Sequence, residues 1–547
     1  MSVVLAPLPA EGERFDVVVI GAGLGGLVAG ALLARAGRSV LVVERHTVAG
    51  GNATVFRRRG YVFDVGLHYV GGCDGDGPLP RILRAAGAGD VAFRELDPGG
   101  YDELVLPGLR FAIPRGRDAF RERLLGAFPS ERAGIDRWVA LLAALARVLP
   151  RLHRPAALGA ALLRSPLLLR HRGATLAQFL DTCTADPALR AVLAGQHIGY
   201  ALPPSRASVL VAAGITAHYL EGAFYPQGGG QVLADRLASA LGRAGGRLLL
   251  RTSAERLLME RGAVAGVVLR GAQGGTVGVR APRVISNADV LRTLGELLPP
   301  DALPARLRER ASHWDMAPPL AVAYLGLRRQ AGDGAETPPH AAAAALPPRA
   351  PQAARNVWVQ PALDVEAEYA AVARGTFAEA SSAFITLASD KDPGEQGIAP
   401  PGIANVQVMG VAPAAPAAWG TSAAAAADGS YRRDPRYLAA KQACLERLLD
   451  AASLAWPDVR ARVERAELAS PLTHSRYTGS TGGTSYGLAA TPRQFLLARP
   501  GARSGVPGLY LCGASCRAGH GIVGAATSGV LAAAAIEGRS LAREVLG

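Results

Sequence analysis

Residues 15–51 read FDVVVIGAGLGGLVAGALLARAGRSVLVVERHTVAGG, and the fold follows from them. Val17 to Ile20 are a short β-branched run suited to a parallel strand covered on both faces. Gly21 allows a tight turn, Gly23 lets backbone approach a pyrophosphate, and Gly26 lets the next helix pack closely on the sheet. Ala22, Leu24 and Gly25 complete the turn, and the helix that follows points its free N–H groups and positive dipole end at the phosphates. Val40 to Val43 return as a second strand. Glu44, at its end and roughly 20 residues past the glycines, is placed to accept hydrogen bonds from ribose hydroxyls. Strand, glycines, helix, strand and acid agree in order and spacing, which predicts an α/β dinucleotide-binding unit.

The continuation separates the dinucleotides. Arg45 and Gly50-Gly51 follow the acid, then Asn52, then Tyr61-Val62-Phe63-Asp64-Val65-Gly66-Leu67-His68-Tyr69. This resembles the amino terminus of FAD-dependent oxidoreductases, where the acid and Gly-Gly extension belong to FAD binding. A matching far end is present: Gly508-Leu509-Tyr510-Leu511-Cys512-Gly513-Ala514 reads as a strand entering a glycine turn, and Gly519-His520-Gly521-Ile522-Val523-Gly524 opens a small-residue helix. The resemblance implies that this late segment lies along the ribityl chain and pyrimidine edge of a flavin, where a helix dipole favours negative charge. The two motifs stand at opposite ends of the chain, so the FAD domain is expected to be discontinuous.

At 547 residues the chain suits two or three domains. The formal charge of +14 raises nucleic acid as a partner, but lysine occurs only at Lys391 and Lys441, and the arginines are scattered among alanine, glycine and proline. That pattern fits a GC-rich bacterial genome and a solvated basic surface, and no nucleic-acid-binding motif is seen. Peripheral contact with an anionic membrane surface stays open. Cys73, Cys183, Cys444, Cys512 and Cys516 are widely spaced with no Cys-x-x-Cys pair, which argues against a disulfide framework and a zinc site; no metal is expected. Met1 to Arg14 lack a basic start and a long apolar core, so no signal peptide is expected. The longest uncharged stretch, Gly397 to Ala427, is broken by prolines and does not read as a membrane span. A cytoplasmic protein, peripheral on the membrane at most, is the expectation.

Between the flavin segments, Asp136 to Pro150 place Trp138, Leu141, Leu142, Leu145, Val148 and Leu149 at helical spacing. Ala156 to Arg172 form a second apolar, arginine-bearing stretch interrupted by Pro166. Ser208 to Tyr219 form a helix apolar nearly all round, which must be covered on every side. Gln231 to Ala244 read as helix. Arg247 to Thr252, Ala254 to Glu260, Val264 to Arg270 and Thr276 to Val279 read as strands, followed by a returning strand at Arg283 to Ala288. Leu320 to Leu327 and Ser382 to Ala388 read as strands of a substrate domain, Tyr437 to Ala452 as helix, and residues 331–354 as a flexible insertion. The expected division is 14–95, 225–290 and 471–547 for the FAD domain, with 96–224 and 291–470 as inserted substrate parts.

Taken together, the motifs resemble the carotenoid desaturase family of flavoproteins, the phytoene desaturase, carotenoid isomerase and retinol saturase group, most closely in Phe15–Gly72, Tyr225–Ala288 and Gly508–Gly529. Phe63 to Tyr69 look most like the saturase and isomerase branch. The ending Ser515-Cys516-Arg517-Ala518-Gly519-His520 departs from the Thr-His-Pro-Gly form of the desaturases. The resemblance implies an FAD-binding Rossmann-type domain of the glutathione reductase 2 type with an inserted α+β substrate domain. It also implies FAD as cofactor, an apolar polyene or isoprenoid substrate, and hydride exchange with flavin N5 in either direction or redox-neutral isomerisation. FAD contacts are expected at Gly21, Ala22, Gly23, Leu24, Gly25, Gly26, Glu44, Arg45, Gly50, Gly51, Asn52, Gly66, Gly513 and Gly524. His68, Tyr69 and His520 are the catalytic candidates, with His197, His218 and His474 as further ones. Two other readings stay open: a flavin oxidase of amines or a secondary metabolite, and a non-catalytic flavin-bearing lipid carrier of the Rab escort type.

Overall fold

A computed structural model describes residues 7–148, 159–161, 163–330, 355–394 and 397–547. Residues 331–354, residues 156–158 and 162 of the second apolar stretch, and Leu149 and Pro150 lie outside the described residues.

The first strand, β1 (Val17–Ile20), is buried along its whole length, as is β2 (Val40–Val43). Their side chains split by parity. Val17, Val19, Val40 and Val42 join the core beneath the helices, while Val18, Ile20, Leu41 and Val43 join a second core on the opposite face. This double burial is what an apolar run without alternation demands. The complete sheet has the order Arg247–Leu249, β2, β1, Val284–Ser286, Leu509–Leu511, all parallel. Three separated segments thus build one sheet. Helix α1 (Leu24–Arg35) packs on it beside Gln231–Arg243 and Gly521–Glu537. The other face carries an antiparallel layer, Ser253–Glu260, Ala263–Arg270 and Thr276–Arg280. Arg247–Leu249 belongs to the parallel sheet and not to this layer.

A seven-stranded sheet forms the second body, in the order Val463–Ala469, Leu320–Arg328, Ile403–Val411, Ala383–Leu387, Asn356–Val359, Asp102–Leu106, Leu109–Ile113. Ile403–Val411 is buried at all nine residues, so the uncharged 397–427 stretch supplies a strand covered on both sides. Helix Pro435–Ala455 packs on one face. Helices Arg132–Val148 and Val209–Leu220 pack together on the other side of the molecule. The second of these is buried over most of its circumference, with its N-terminus capped by Ser208. The 156–172 stretch is interrupted at Pro166: helical backbone at residues 159–161 and 163 stops at Arg164, and Pro166 opens a new helix, Pro166–His171; proline is accepted there because the first helical N–H has no partner. The hairpin Asp102–Ile113, from the first inserted part, pairs through Asp102–Leu106 with Asn356–Val359 from the second. Both parts share one sheet.

Candidate functional site

A cavity of about 1700 Å³ runs from the end of β1 to the edge of the seven-stranded sheet. That exceeds the roughly 300–1,000 Å³ of a pocket for one drug-sized molecule and leaves room for a dinucleotide with a second ligand beside it.

One half is backbone. Gly21 turns at φ +92°, and Gly50, at φ +126°, pairs with Gly23 in a parallel bridge. Gly21, Gly23, Leu24, Gly25, Gly50 and Gly51 all line the cavity. No side chain caps α1, so its first-turn N–H groups remain available where Leu24 and Gly25 meet the cavity. A Cβ on Gly23 would lie 2.7 Å from Asn287 Nδ2, and one on Gly51 would lie 3.1 Å from Gly23 Cα; the cradle exists only because these positions are bare. Glu44 is buried and lines the cavity, its carboxylate accepting the Ala22 N–H and the His46 N–H, each at 2.8 Å. Each carboxylate oxygen keeps capacity for a further donor, which suits ribose hydroxyls. Ala22 and Gly26 stand behind the lining. A side chain on Gly26 would run into the Gly21 carbonyl, so this glycine serves packing.

Arg45 lines the cavity beside Arg292, and its Nη2 donates to the Arg476 carbonyl at 3.2 Å. Burial, and then the Arg292 charge, lower the Arg45 pKa, with Glu44 and Glu296 acting the other way. Asn52, Gly66 and Gly513 line the cavity too, as do Gly521, Ile522 and Ala525 at the start of the last long helix. Gly524 does not: a Cβ there would lie 2.6 Å from the Gly519 carbonyl, so its role is to let the turn fold back on the helix. Asn52 is fixed from behind, its side-chain amide 2.9 Å from His474 Nε2 and its Nδ2 donating to the Ser485 carbonyl at 3.3 Å.

The other half is side chain. Leu320, Val322, Tyr324, Met409, Leu468 and Ala469 reach the cavity from one end of the large sheet, with His68 and Tyr486 beside them. Burial, and then the charge of Lys391, push the His68 imidazole down to about 3, so it is neutral at physiological pH. Tyr69, its neighbour, corrects the expectation of a paired site: it faces away from the cavity, stacks on Tyr219 at 4.0 Å between centroids and donates to Asp102 at 3.1 Å. His520 is likewise set back, behind Tyr486, with ring centroids 5.1 Å apart, and burial pushes it down to about 3. His197 bonds Tyr369 through Nδ1 at 2.9 Å, and His218 accepts the Gly71 N–H at 3.2 Å; both hold the core and do not line the cavity.

Behind His68 lies a polar cluster that sequence reasoning missed. Asp102, fully buried, accepts from Tyr69, from Gln196 Nε2 at 2.8 Å and from Asn356 Nδ2 at 2.9 Å. Lys391 Nζ donates to the His68 carbonyl at 2.6 Å, to Asn356 Oδ1 and to Thr386 Oγ1, which uses all three ammonium protons. One signal existed: a lysine in a chain that otherwise uses arginine marks a place a guanidinium cannot fill. Asn287 was also missed, though its amide packs against Gly21, Gly23, Gly25 and Gly513 and so ties all three sheet segments together at the cradle.

Two family descriptions match, an NAD(P)-binding Rossmann-like domain over residues 19–86 and a flavin containing amine oxidoreductase over residues 429–537. An all-trans-retinol 13,14-reductase from Macaca fascicularis is 30% identical over 559 residues, covering 97% of this chain and 86% of the relative. The chain belongs to the all-trans-retinol 13,14-reductase family. It is an FAD-dependent oxidoreductase with the α/β fold described above. The family extends to prolycopene isomerase 1 of an Oncidium hybrid cultivar, 26% identical over 96% of this chain and 84% of the isomerase. Among solved structures, an oxidoreductase from Methanosarcina mazei superimposes with a TM-score of 0.61 at 17% identity, covering 96% of this chain and 99% of that one, which speaks to the fold of this chain alone.

Proposed function

We propose that this enzyme adds hydride and a proton across a carbon–carbon double bond of an apolar polyene, the saturation named for its retinol reductase relatives. The observation that carries the reading is the division of the cavity into a polar backbone cradle and an apolar wall of Leu320, Val322, Met409 and Leu468. An apolar chain offers few polar handles, so binding rests on buried area, at roughly 25 cal/mol per Å². Once bound and reduced by an external two-electron donor, FAD would supply the hydride at N5 and return to its oxidised form. His46 and His474 also line the cavity, His474 tied to Asn52; the histidine we assign to the chemistry is His68. As a neutral imidazole it passes a proton by releasing one from one ring nitrogen while the other takes one up, which keeps the wall uncharged. Tyr69 and Lys391 hold the backbone and neighbours of His68 and touch no ligand. Glu44 and Arg45 bind the cofactor's ribose and phosphate groups in this reading.

Expression in a host that accumulates retinoids or carotenoid precursors, with pigments separated by chromatography, tests the proposal. A dihydro product is expected, and an unchanged pigment profile in both air and nitrogen counts against any polyene substrate. Isomerisation is the second reading, favoured by the full-length likeness to prolycopene isomerases; a geometric isomer formed without flavin turnover would select it. His68→Ala is expected to retain FAD and lose turnover at least tenfold; retained turnover removes His68 from the mechanism. We further propose a cytoplasmic location in peripheral contact with membrane. The support is the apolar substrate and the +14 charge, which draws a protein to anionic lipid; among the described residues no helix is long and apolar enough to cross a bilayer. Co-flotation with anionic but not neutral vesicles is the expected result, and equal behaviour with both removes the electrostatic support.

A further inference from the structure

The late wall of the cavity hides a charge with no counter-ion. Arg499 is 0% exposed, and its guanidinium is held by backbone carbonyls: Nε donates to Gln494 at 3.1 Å, Nη1 to Ala514 at 2.6 Å, and Nη2 to Leu488. Among the described residues no carboxylate pairs with it, and its pKa is pushed down to about 10 by burial, with only the Cys516 thiol acting the other way. The remaining charged neighbours carry the same sign. Arg310 donates to the Ala498 carbonyl, and burial, and then the Arg310 charge, lower the Arg517 pKa. The Phe495 ring lies under the guanidinium carbon of Arg499, 6.0 Å from it to the ring centroid. A guanidinium taken out of water with carbonyls and one aromatic face but no anion is costly, and replacing it with an apolar side chain of similar volume would ordinarily be neutral or better. Its position explains its presence. Ala514 and Ser515 line the cavity, as does Gly487, next to Leu488; the guanidinium therefore sits one peptide unit behind the wall, on the same side as the helix start at Gly521. Both present positive potential to the cavity across a medium that screens little.

We propose that Arg499 is the fixed counter-charge for the negative charge that the bound FAD acquires on reduction, and that it sets the reduction potential through the Ala514 peptide. It acts through the wall and does not touch the reacting atoms, so it is a positioning and electrostatic residue. The inference concerns the cofactor and does not depend on which molecule lies across it.

The test is the midpoint potential of the purified FAD-loaded protein, measured by dye equilibration without any polyene. Arg499→Met keeps the volume and removes the charge. It is expected to bind FAD and to disfavour the reduced form at least tenfold, a shift of about 30 mV to more negative potential for a two-electron couple. Arg499→Lys keeps the charge, gives up the planar fork, and is expected to stay within threefold of wild type. A wild-type potential in Arg499→Met overturns the proposal, as does an equal shift in both variants, which would make Arg499 a clamp and nothing more. Should Arg499→Met fail to fold, Cys516→Asp supplies the second reading. It sets a carboxylate beside an intact guanidinium, and the same negative shift is expected; an unchanged potential there overturns the proposal as well.

Discussion

The glycine cradle at Gly21–Gly26 and the cluster around Asp102 are both buried and both stand against the same cavity, yet they are built in opposite ways. The cradle is made of backbone from a continuous stretch, closed by Gly50-Gly51 and Glu44 within 30 residues. The cluster is made of side chains whose partners are far apart in sequence: 33 residues from Tyr69 to Asp102, 94 from there to Gln196, 254 to Asn356, and 323 between His68 and Lys391. A backbone site tolerates almost no added atom but carries no side-chain titration. A side-chain network can lose a member and keep its shape, and it responds to pH. The cradle is the FAD half of the cavity, while the network holds the backbone of His68, which lines the same cavity.

The largest expected effect is at the cradle. Gly26→Val drives its side chain into the Gly21 carbonyl, an overpacking expected to cost about 3 kcal/mol and to abolish the 450 nm flavin absorbance of the purified protein. A folded, yellow Gly26→Val protein would break the comparison. Next comes Asp102→Leu, which strands the donors of Tyr69, Gln196 and Asn356 in the core; a loss on the order of 3 kcal/mol is expected by urea unfolding, with FAD stoichiometry unchanged.

The pH response follows with a definite sign. Burial raises Asp102 from 3.8 to about 6, so the folded state prefers the protonated acid. That contribution is complete below the ordinary carboxylate range and is lost as pH rises through 6. Between pH 4 and 7 wild type should lose on the order of 3 kcal/mol relative to Asp102→Asn. Parallel stability curves for the two proteins would show that Asp102 does not titrate in this window.

Smaller effects test the supports. Glu44→Gln leaves one acceptor where the Ala22 and His46 N–H groups need two; about 1 kcal/mol of stability and roughly tenfold in FAD affinity are expected to go, read by flavin fluorescence titration. Smallest is Ser470→Ala, which removes the capping box of the helix Pro471–Thr478 that carries His474. About 1 kcal/mol is expected, without loss of FAD.

The contrast between the regions also explains what could be read from the chain. Val17 to Ile20, Val40 to Val43 and Val284 to Ser286 announce themselves because a doubly covered strand must be apolar at every position, and Gly21 to Gly26 because backbone geometry restricts residue type locally. The paired layers of 253–280 are legible for the same local reason. Asp102, Asn356, Thr386 and Lys391 are ordinary polar residues one at a time, and only the sheet that sets Asp102–Leu106 beside Asn356–Val359 makes them a cluster. The direction of Tyr69 was hidden too, because the acceptor that turns it away lies in that sheet. His520 resembled a flavin-edge residue by its place in the late motif, but Tyr486 occupies the lining in front of it. Asn287 stood in a recognised strand end, and its contact with four glycines from two other segments became visible only in space.

The central claim, a polyene reduced across the flavin cradle and the apolar wall, is tested most directly by mixing anaerobically reduced enzyme with all-trans-retinol in a stopped-flow spectrometer. Return of the oxidised-flavin band in step with loss of polyene absorbance is the expected result. A flavin that stays reduced over an unchanged polyene, at saturating concentration, would contradict it.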